Sequence, residues 1–252
     1  MKISIITVCF NSSATIKDTI ISVASQKNVK IEHIIIDGGS NDGTVEIVKS
    51  YPSVTKFISE PDKGIYDAMN KGIALATGDV VGTLNADDFY ANPHVLEEVS
   101  KVFLDANVDA CYGDLLYVNQ HDTDRVVRYW KSKNYVLGLF KSGWMPAHPT
   151  FFVRKNIYER FGGFNLNYTI AADFELLFRL IEQNGIITKY IPMILVKMRV
   201  GGTTNNSLKN ILTQNNEIIS ILERHYRNFS LLNFIKNKLI NRFLQLVSRP
   251  VE

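Results

Sequence analysis

Short β-branched runs that stop abruptly at polar residues constrain this chain more than any other feature. Residues 3–8 read ISIITV, 31–36 read IEHIII and 80–84 read VVGTL. Runs of this length and character suit buried strands of an α/β sheet. The first is followed by Asn11, Ser12 and Ser13, turn and cap candidates, and then by Ile16, Ile20, Val23 and Ala24 at helical spacing. The second ends at Asp37, crosses G-G-S-N-D-G and enters a short helix over 44–50. Strand–loop–helix twice in succession predicts parallel, right-handed α/β units. The third run ends in Asn85, Asp87 and Asp88. Carboxylates at the C-terminal end of a strand lie where open α/β sheets bind ligands.

Composition bounds the rest. A chain of 252 residues buries one substantial core with a smaller appendage. A net charge of +3 is too small to argue for a nucleic-acid partner. Cys9 and Cys111 lie in apolar contexts, which favours buried free thiols in a reducing compartment over a disulfide. The opening residues carry no secretory signal pattern and no apolar run is long enough to span a bilayer, so a cytoplasmic location is expected.

The motifs are individually open to plain readings. Asp87 and Asp88 are adjacent like charges, tolerable in a solvated turn with Asp88 capping a short helix, or with a divalent cation between them and a ligand. The glycines at 38–43 lack both the dinucleotide and the phosphate-loop spacing, and a structural turn explains them as well as a ligand does. Asp37 is the informative residue there, an acceptor suited to an imide N–H or a ribose hydroxyl. After a strand at 57–59, Ile65, Met69, Ile73 and Ala76 mark the core face of a helix that Gly78 ends. Asp62 and Lys63 precede its N-terminus, a place suited to an anion, and Asn70 lies within it. A solvated charged turn is the plainer reading of Lys63. Asn92 as cap and Pro93 at the first position open another helix, with Leu96, Val99 and Phe103 inward, before a strand at 110–116.

Four motifs in register make the pattern specific: T-V-C-F-N at 7–11, I-I-I-D-G-G-S-N-D-G-T at 34–44, the D-K-G-x-x-x-A-x-N run at 62–70 and L-N-A-D-D at 84–88. Together they resemble the inverting nucleotide-sugar glycosyltransferases of family two, with the GT-A fold, and in particular bacterial enzymes of capsule, exopolysaccharide and O-chain synthesis. The resemblance covers roughly residues 1–200. It implies an α/β GT-A fold with a mostly parallel central sheet flanked by helices. A domain at 1–204 would comprise a nucleotide-sugar half (1–116) and an acceptor half (117–204), followed by a helical extension at 205–252. By the same resemblance Thr7 and Phe10 line the nucleobase, with Phe10 stacking on it, Asn11 belongs to the substrate-binding set, and Asp37 accepts from a uracil N3–H. Asn85-Ala86-Asp87 matches the D-x-D motif. Asn85 would contact ribose, and Asp87, supported by Asp88, would bind Mn2+ or Mg2+. Gly38 and Asn85 depart from the family pattern, each replacing an Asp.

The acceptor side is read the same way. Residues 125–130 suit a strand, and the aromatics of the 138–144 loop suit core packing more than sugar. His148 is either a structural hydrogen-bonder or, as the resemblance implies, a contact to diphosphate or acceptor. The run I-A-A-D-F-E-L-L-F-R-L-I at 170–181 predicts a helix with Phe174, Leu177, Leu180 and Ile181 inward. It resembles the family's E-D-x-x-L-x-x-R block with Ala172 in place of Glu. That match makes Asp173 the general base, Glu175 the fallback and Arg179 a brace; without it Asp173 is an ordinary first-turn carboxylate. Arg199 before Gly201-Gly202-Thr203 matches a basic residue that closes over the diphosphate. The processive Q-x-x-R-W signature is absent, implying single transfer. Two amphipathic helices follow, over 211–226 and 231–247. The second carries Leu232, Ile235, Leu239, Phe243 and Leu246 on one stripe, with Lys236, Lys238 and Arg242 among its polar positions. It suits docking on the domain, on a second copy, or on an anionic membrane at its inner face. The expected partners are a nucleotide-sugar donor, UDP-linked, and a glycan or lipid-linked acceptor. A nucleotidyltransferase and a non-catalytic nucleotide-sugar-binding module are the rival readings.

Overall fold

The computed structural model describes residues 1–201 and 208–248. The boundary expected at 204/205 lies outside them, as do Gly202 and Thr203 of the expected closing turn. The first strands, β1 (Lys2–Cys9), β2 (Lys30–Asp37), β3 (Lys56–Ser59) and β4 (Val80–Thr83), pair in parallel in the order β3-β2-β1-β4. Helices α1 (Ile16–Ala24), α2 (Thr44–Lys49) and α3 (Ile65–Leu75) connect them. The chain thus builds outward from β1 in one direction, then returns to add β4 on its other side. The loops after β1 and β4 therefore splay apart at a topological switch point, the crevice where such sheets bind ligands.

Beyond β4 the sheet becomes mixed. It continues through β8 (Phe152–Arg154), β6 (Ala110–Val118), β9 (Thr188–Arg199) and β5 (Asp88–Tyr90), with β7 (Val126–Trp130) beside β6. β6 and β9 are parallel, whereas β4–β8, β6–β8, β6–β7 and β5–β9 are antiparallel. The parallel character read from the sequence belongs mainly to the first half. Helix α4 (Val95–Val102) covers one face with Val95, Leu96 and Val99. It opens two residues later than Asn92-Pro93 suggests, because the Asn92 side chain accepts from the His94 N–H and holds a turn ahead of the helix. Asp88 likewise begins a strand and caps no helix. Along α3, Met69, Ile73 and Ala76 are buried as expected, but Ile65 is exposed at the N-terminal end.

The second half adds α5 (Lys155–Phe161) and α6 (Ala172–Leu177), the latter running on into a π-helical turn at Phe178–Gln183. Phe174, Leu177, Leu180 and Ile181 all face the core, and Phe140 and Trp144 pack edge-on beside them. Helix α7 (Leu208–His225) buries Ile218, Ile221 and Leu222 in this same cluster. Its residues thus share a core with the domain rather than forming a separate appendage. Helix α8 (Leu231–Val247) packs against β7 and inserts Phe234, while its predicted stripe points outward. Among the described residues no helix is long and apolar enough to cross a membrane.

Candidate active site

The loops after β1 and β2 are sewn together. Asn11, at φ 48°, donates its N–H to Ser40 Oγ at 2.7 Å and accepts from the Asn41 N–H at 3.1 Å. Asp42 accepts from the Ser13 and Thr44 N–H groups. This stitching leaves Phe10 63% exposed at the end of β1, an aromatic ring with one face open. Such exposure costs burial and suits a stacking platform.

Asp37 does not share that openness. It is fully buried and accepts from five donors: the Gly39 and Ser40 N–H groups, Ser59 Oγ at 2.6 Å, Ser40 Oγ, and Cys9 Sγ at 3.5 Å. Burial alone would raise its carboxyl, but the bonds from Ser40 and Ser59 outweigh this and hold it below the usual carboxylate range. Its capacity is spent on shaping the loop. Thr7 is also fully buried, with Oγ1 3.0 Å from His33 Nε2, so its side chain cannot line a nucleobase. Asp62 and Phe10 instead flank the same glycine. A Cβ on Gly38 would stand 2.8 Å from Asp62 Oδ2 and 3.3 Å from the Phe10 ring. Gly38 therefore makes room for the Asp62 carboxylate beside the stacking ring. No spacing in the chain hints at this, because the contact joins two loops. Lys63 is exposed next to it and, among the described residues, pairs with no carboxylate.

Across the crevice, Asp88 is fully buried and Asp87 half-buried. Burial first, then the neighbouring Asp87 charge, push the Asp88 carboxyl well above its ordinary range against the opposing Asn85 amide and Arg199. Burial raises Asp87 as well. The solvated-turn reading is thereby excluded for Asp88. Asn85 Nδ2 reaches Asp88 Oδ2 at 3.2 Å, yet Asn85 Oδ1 and Asp88 Oδ1 are buried without any hydrogen-bond partner. Two orphaned oxygens, one of them on Asp88 itself, next to the Asp87 carboxylate fit a hard divalent cation. Among the described residues no cluster of three or more acidic, His or Cys side chains exists, so protein ligands alone would not fill such a cation's shell. Arg199 is buried and braces this loop rather than reaching into the cleft. It donates to the Asp87 carbonyl at 2.8 Å and pairs with Asp18 at 2.5 Å.

A second group of contacts joins α3, the turn after α5 and the start of α6. Asn70 donates to the Phe164 carbonyl at 2.9 Å and accepts from its N–H at 2.8 Å, and a Cβ on Gly163 would collide with the Asn70 amide. Asn70 thus fixes the turn and is not placed to bind a sugar. Phe164 stacks on Tyr66 and meets His148 edge-on, both at 5.3 Å. Burial drives the His148 imidazole down to about 4, so it is neutral at pH 7. Tyr66 donates to the Ile170 carbonyl at 2.7 Å and also approaches Asp173. Burial pushes the Asp173 carboxyl up to about 6, against the Phe174 N–H at 2.7 Å and Tyr66, with the Glu217 charge adding to the rise. Glu217, on α7, accepts from the Thr169, Ile170 and Ala171 N–H groups at 2.8–3.1 Å and so caps the start of α6 from outside. Glu175 is held in a two-point pair with Arg179 at 2.7 and 3.2 Å, which removes it as a fallback base. Arg179 in turn ties down the carbonyls of Phe161, Gly162 and Gly163.

Comparison with known proteins bears on this arrangement. The Glycosyl transferase family 2 model matches residues 4–164. A glycosyltransferase of Mycobacterium tuberculosis is 33% identical over 183 residues, covering 70% of this chain and 68% of the relative. A PGL/p-HBAD biosynthesis glycosyltransferase of Mycobacterium bovis is 27% identical over 217 residues, covering 81% and 79%. Among solved structures, S. aureus TarS 1–349 in complex with UDP superimposes with a TM-score of 0.67 at 18% identity, over 98% of this chain and 73% of that one. Against the longer TarS chain, the coverage of that chain falls to 45%. The mannosyltransferase PcManGT from Pyrobaculum calidifontis, in complex with GDP-Man and Mn2+, gives 0.64 at 17% identity, over 97% and 70%. These likenesses fix the fold as GT-A, and the family match, covering well over half of the chain, makes this protein a member of glycosyltransferase family 2.

Proposed function

We propose that the protein transfers one sugar from a UDP-sugar to a hydroxyl of a lipid-linked glycan, with inversion, at the cytoplasmic face of a membrane. The observation that carries this reading is the buried Asp88 next to half-buried Asp87 at the switch point, where Asn85 Oδ1 and Asp88 Oδ1 have no hydrogen-bond partner. Asp87 and Asp88 would hold Mn2+ or Mg2+, which when bound neutralises charge on the donor's diphosphate. Phe10 stacks on the base and Asp62 accepts its imide N–H, taking over the role that the sequence suggested for Asp37. Asn85 hydrogen-bonds ribose, and Lys63 supplies positive charge at the mouth. Asp173 takes the proton of the acceptor hydroxyl as that oxygen bonds to the anomeric carbon and the bond to the diphosphate oxygen breaks. Displacement from the opposite face inverts the centre. His148 and Phe164 wall the acceptor side.

These roles are tested by calorimetric titration with UDP, GDP and dTDP, each with and without Mn2+. The expected result is Mn2+-dependent binding of UDP over the other two. Thymine presents the same imide N–H and guanine another ring N–H, so dTDP tests the ribose contact and GDP tests the base contact. A preference for GDP would overturn the donor while keeping the enzyme class, and failure of all three would reject the nucleotide-sugar site.

A further inference from the structure

Two arginines that form no ion pair among the described residues meet at the junction of β7 and α8. Arg128 and Arg242 flank a cavity of about 280 Å3 that Tyr117, Arg199 and Gly201 also line. The Arg128 guanidinium lies 3.7 Å above the Tyr117 ring, which fixes its plane. Among the described residues neither Arg128 nor Arg242 forms an ion pair with a carboxylate; the arginine pairs are those of Arg179 and Arg199. Arg199 is already spent on Asp18 and the Asp87 carbonyl. Burial and the Arg242 charge both disfavour a charged Arg128, an arrangement that an anion would relieve. A stacked guanidinium without a carboxylate partner among the described residues suits a phosphate oxygen pair.

The surroundings indicate which phosphate. Helix α8 holds to the body through Phe234 and presents Leu232, Leu239 and Phe243 outward at 81, 65 and 63% exposure. From residue 226 to 248 the chain contains Arg227, Lys236, Lys238 and Arg242 and no acidic residue. A site for a soluble anion needs no apolar apron, and a self-associating apolar face gains nothing from uncompensated cations. Both features together match an anionic amphiphile.

We propose that the Arg128–Arg242 cleft seats the phosphate of a membrane lipid while the exposed stripe of α8 enters the surrounding acyl layer. This deepens the reading of a lipid-linked acceptor and rests on it for its purpose, since Arg199 joins the cleft directly to the Asp87 loop. The test is flotation of the full chain with phosphatidylcholine vesicles, with and without phosphatidylglycerol. Binding should require phosphatidylglycerol, and Arg128→Gln or Arg242→Gln should each weaken it roughly fivefold. Lys236→Gln, which removes a helix cation outside the cleft, should weaken it less. Leu239→Glu with Phe243→Glu should abolish it. UDP titration of every variant, expected to match the wild type, separates this site from the donor site; vesicle binding without UDP binding would sink the donor reading alone. Indifference to phosphatidylglycerol, or equal losses for Arg128→Gln and Lys236→Gln, would overturn the cleft. Pyrophosphate binding without vesicle binding would mark a soluble-anion site instead. A dimer by light scattering that Leu239→Glu with Phe243→Glu dissociates, again without vesicle binding, would assign the stripe to a second copy.

Discussion

Asp173→Asn should kill turnover and stabilise the protein, two effects that a merely structural carboxylate would not combine. The carboxyl stands at about 6 in the fold against an ordinary 3.8. Between those values the unfolded chain releases the proton while the folded chain keeps it, so stability falls as pH rises through this window. Above pH 6 the folded state carries the full penalty. Two units correspond to about 3 kcal/mol, and partial exposure of the side chain leaves on the order of 2 kcal/mol. Asparagine removes the charge but keeps an oxygen for the Phe174 N–H, which the carboxylate accepts at 2.7 Å. The variant should therefore melt roughly 4–8 °C higher at pH 7, with little difference at pH 4. Its UDP release from donor should fall by about 10²–10⁴. In the wild type kcat/KM should rise with pH around a midpoint near 6, standing about tenfold below its plateau at pH 5. Thermal melts at both pH values and a UDP-release assay read all three quantities. Retained turnover, or a melt lowered equally at pH 4 and pH 7, would refute the assignment of Asp173 as the base.

Glu217→Gln should shift that midpoint below 6, because the Glu217 charge is one of the causes raising Asp173; an unmoved pH–rate profile would break the link between them. Asp88→Asn should raise the melting temperature without metal, by relieving a buried charge, and should abolish any further rise on adding Mn2+. Phe10→Ala should lower UDP affinity roughly tenfold with an unchanged melt, as expected of an exposed stacking ring read by calorimetry. Asp62→Asn should also weaken UDP with an intact fold, whereas Asp37→Asn should cost about 1–3 kcal/mol of stability by denaturant titration, since five donors depend on it.

The strands of the nucleotide half were legible because their apolar runs are short, β-branched and cut off by polar turns. The same runs delivered Phe10, Asn85, Asp87 and Asp88 to one edge of the sheet, so the position of the candidate site followed from strand order. What a single chain position cannot reveal is where its side chain points. Thr7 lies in a motif segment yet turns into the core toward His33. Asn70 and Arg199 have the chemistry of ligand-binding groups but spend it on the Phe164 backbone and on the Asp87 loop. Asp62 stood in view as a charged residue ahead of a helix. Its place beside Phe10 depends on the missing side chain of Gly38, a relation between loops that no periodicity encodes.

The start of α6 joins these threads. The resemblance expects a glutamate at 172, where this chain has alanine, and with Glu175 committed to Arg179 the loss would leave Asp173 as the one unpaired carboxylate at a helix start whose N–H groups and dipole attract negative charge. A second carboxylate is nonetheless there. It comes from Glu217, some 45 residues further along, whose oxygens take the Thr169, Ile170 and Ala171 N–H groups that the helix itself cannot satisfy. Helix α7 can deliver it because Ile218, Ile221 and Leu222 anchor in the core shared with Phe174 and Phe178. The same helix therefore both seals the core and sets the charge environment of Asp173. A division of the chain at 204/205 separates residues that the packing treats as one unit, and only the outer helix α8, held by Phe234 and turned outward, has the character of an attachment.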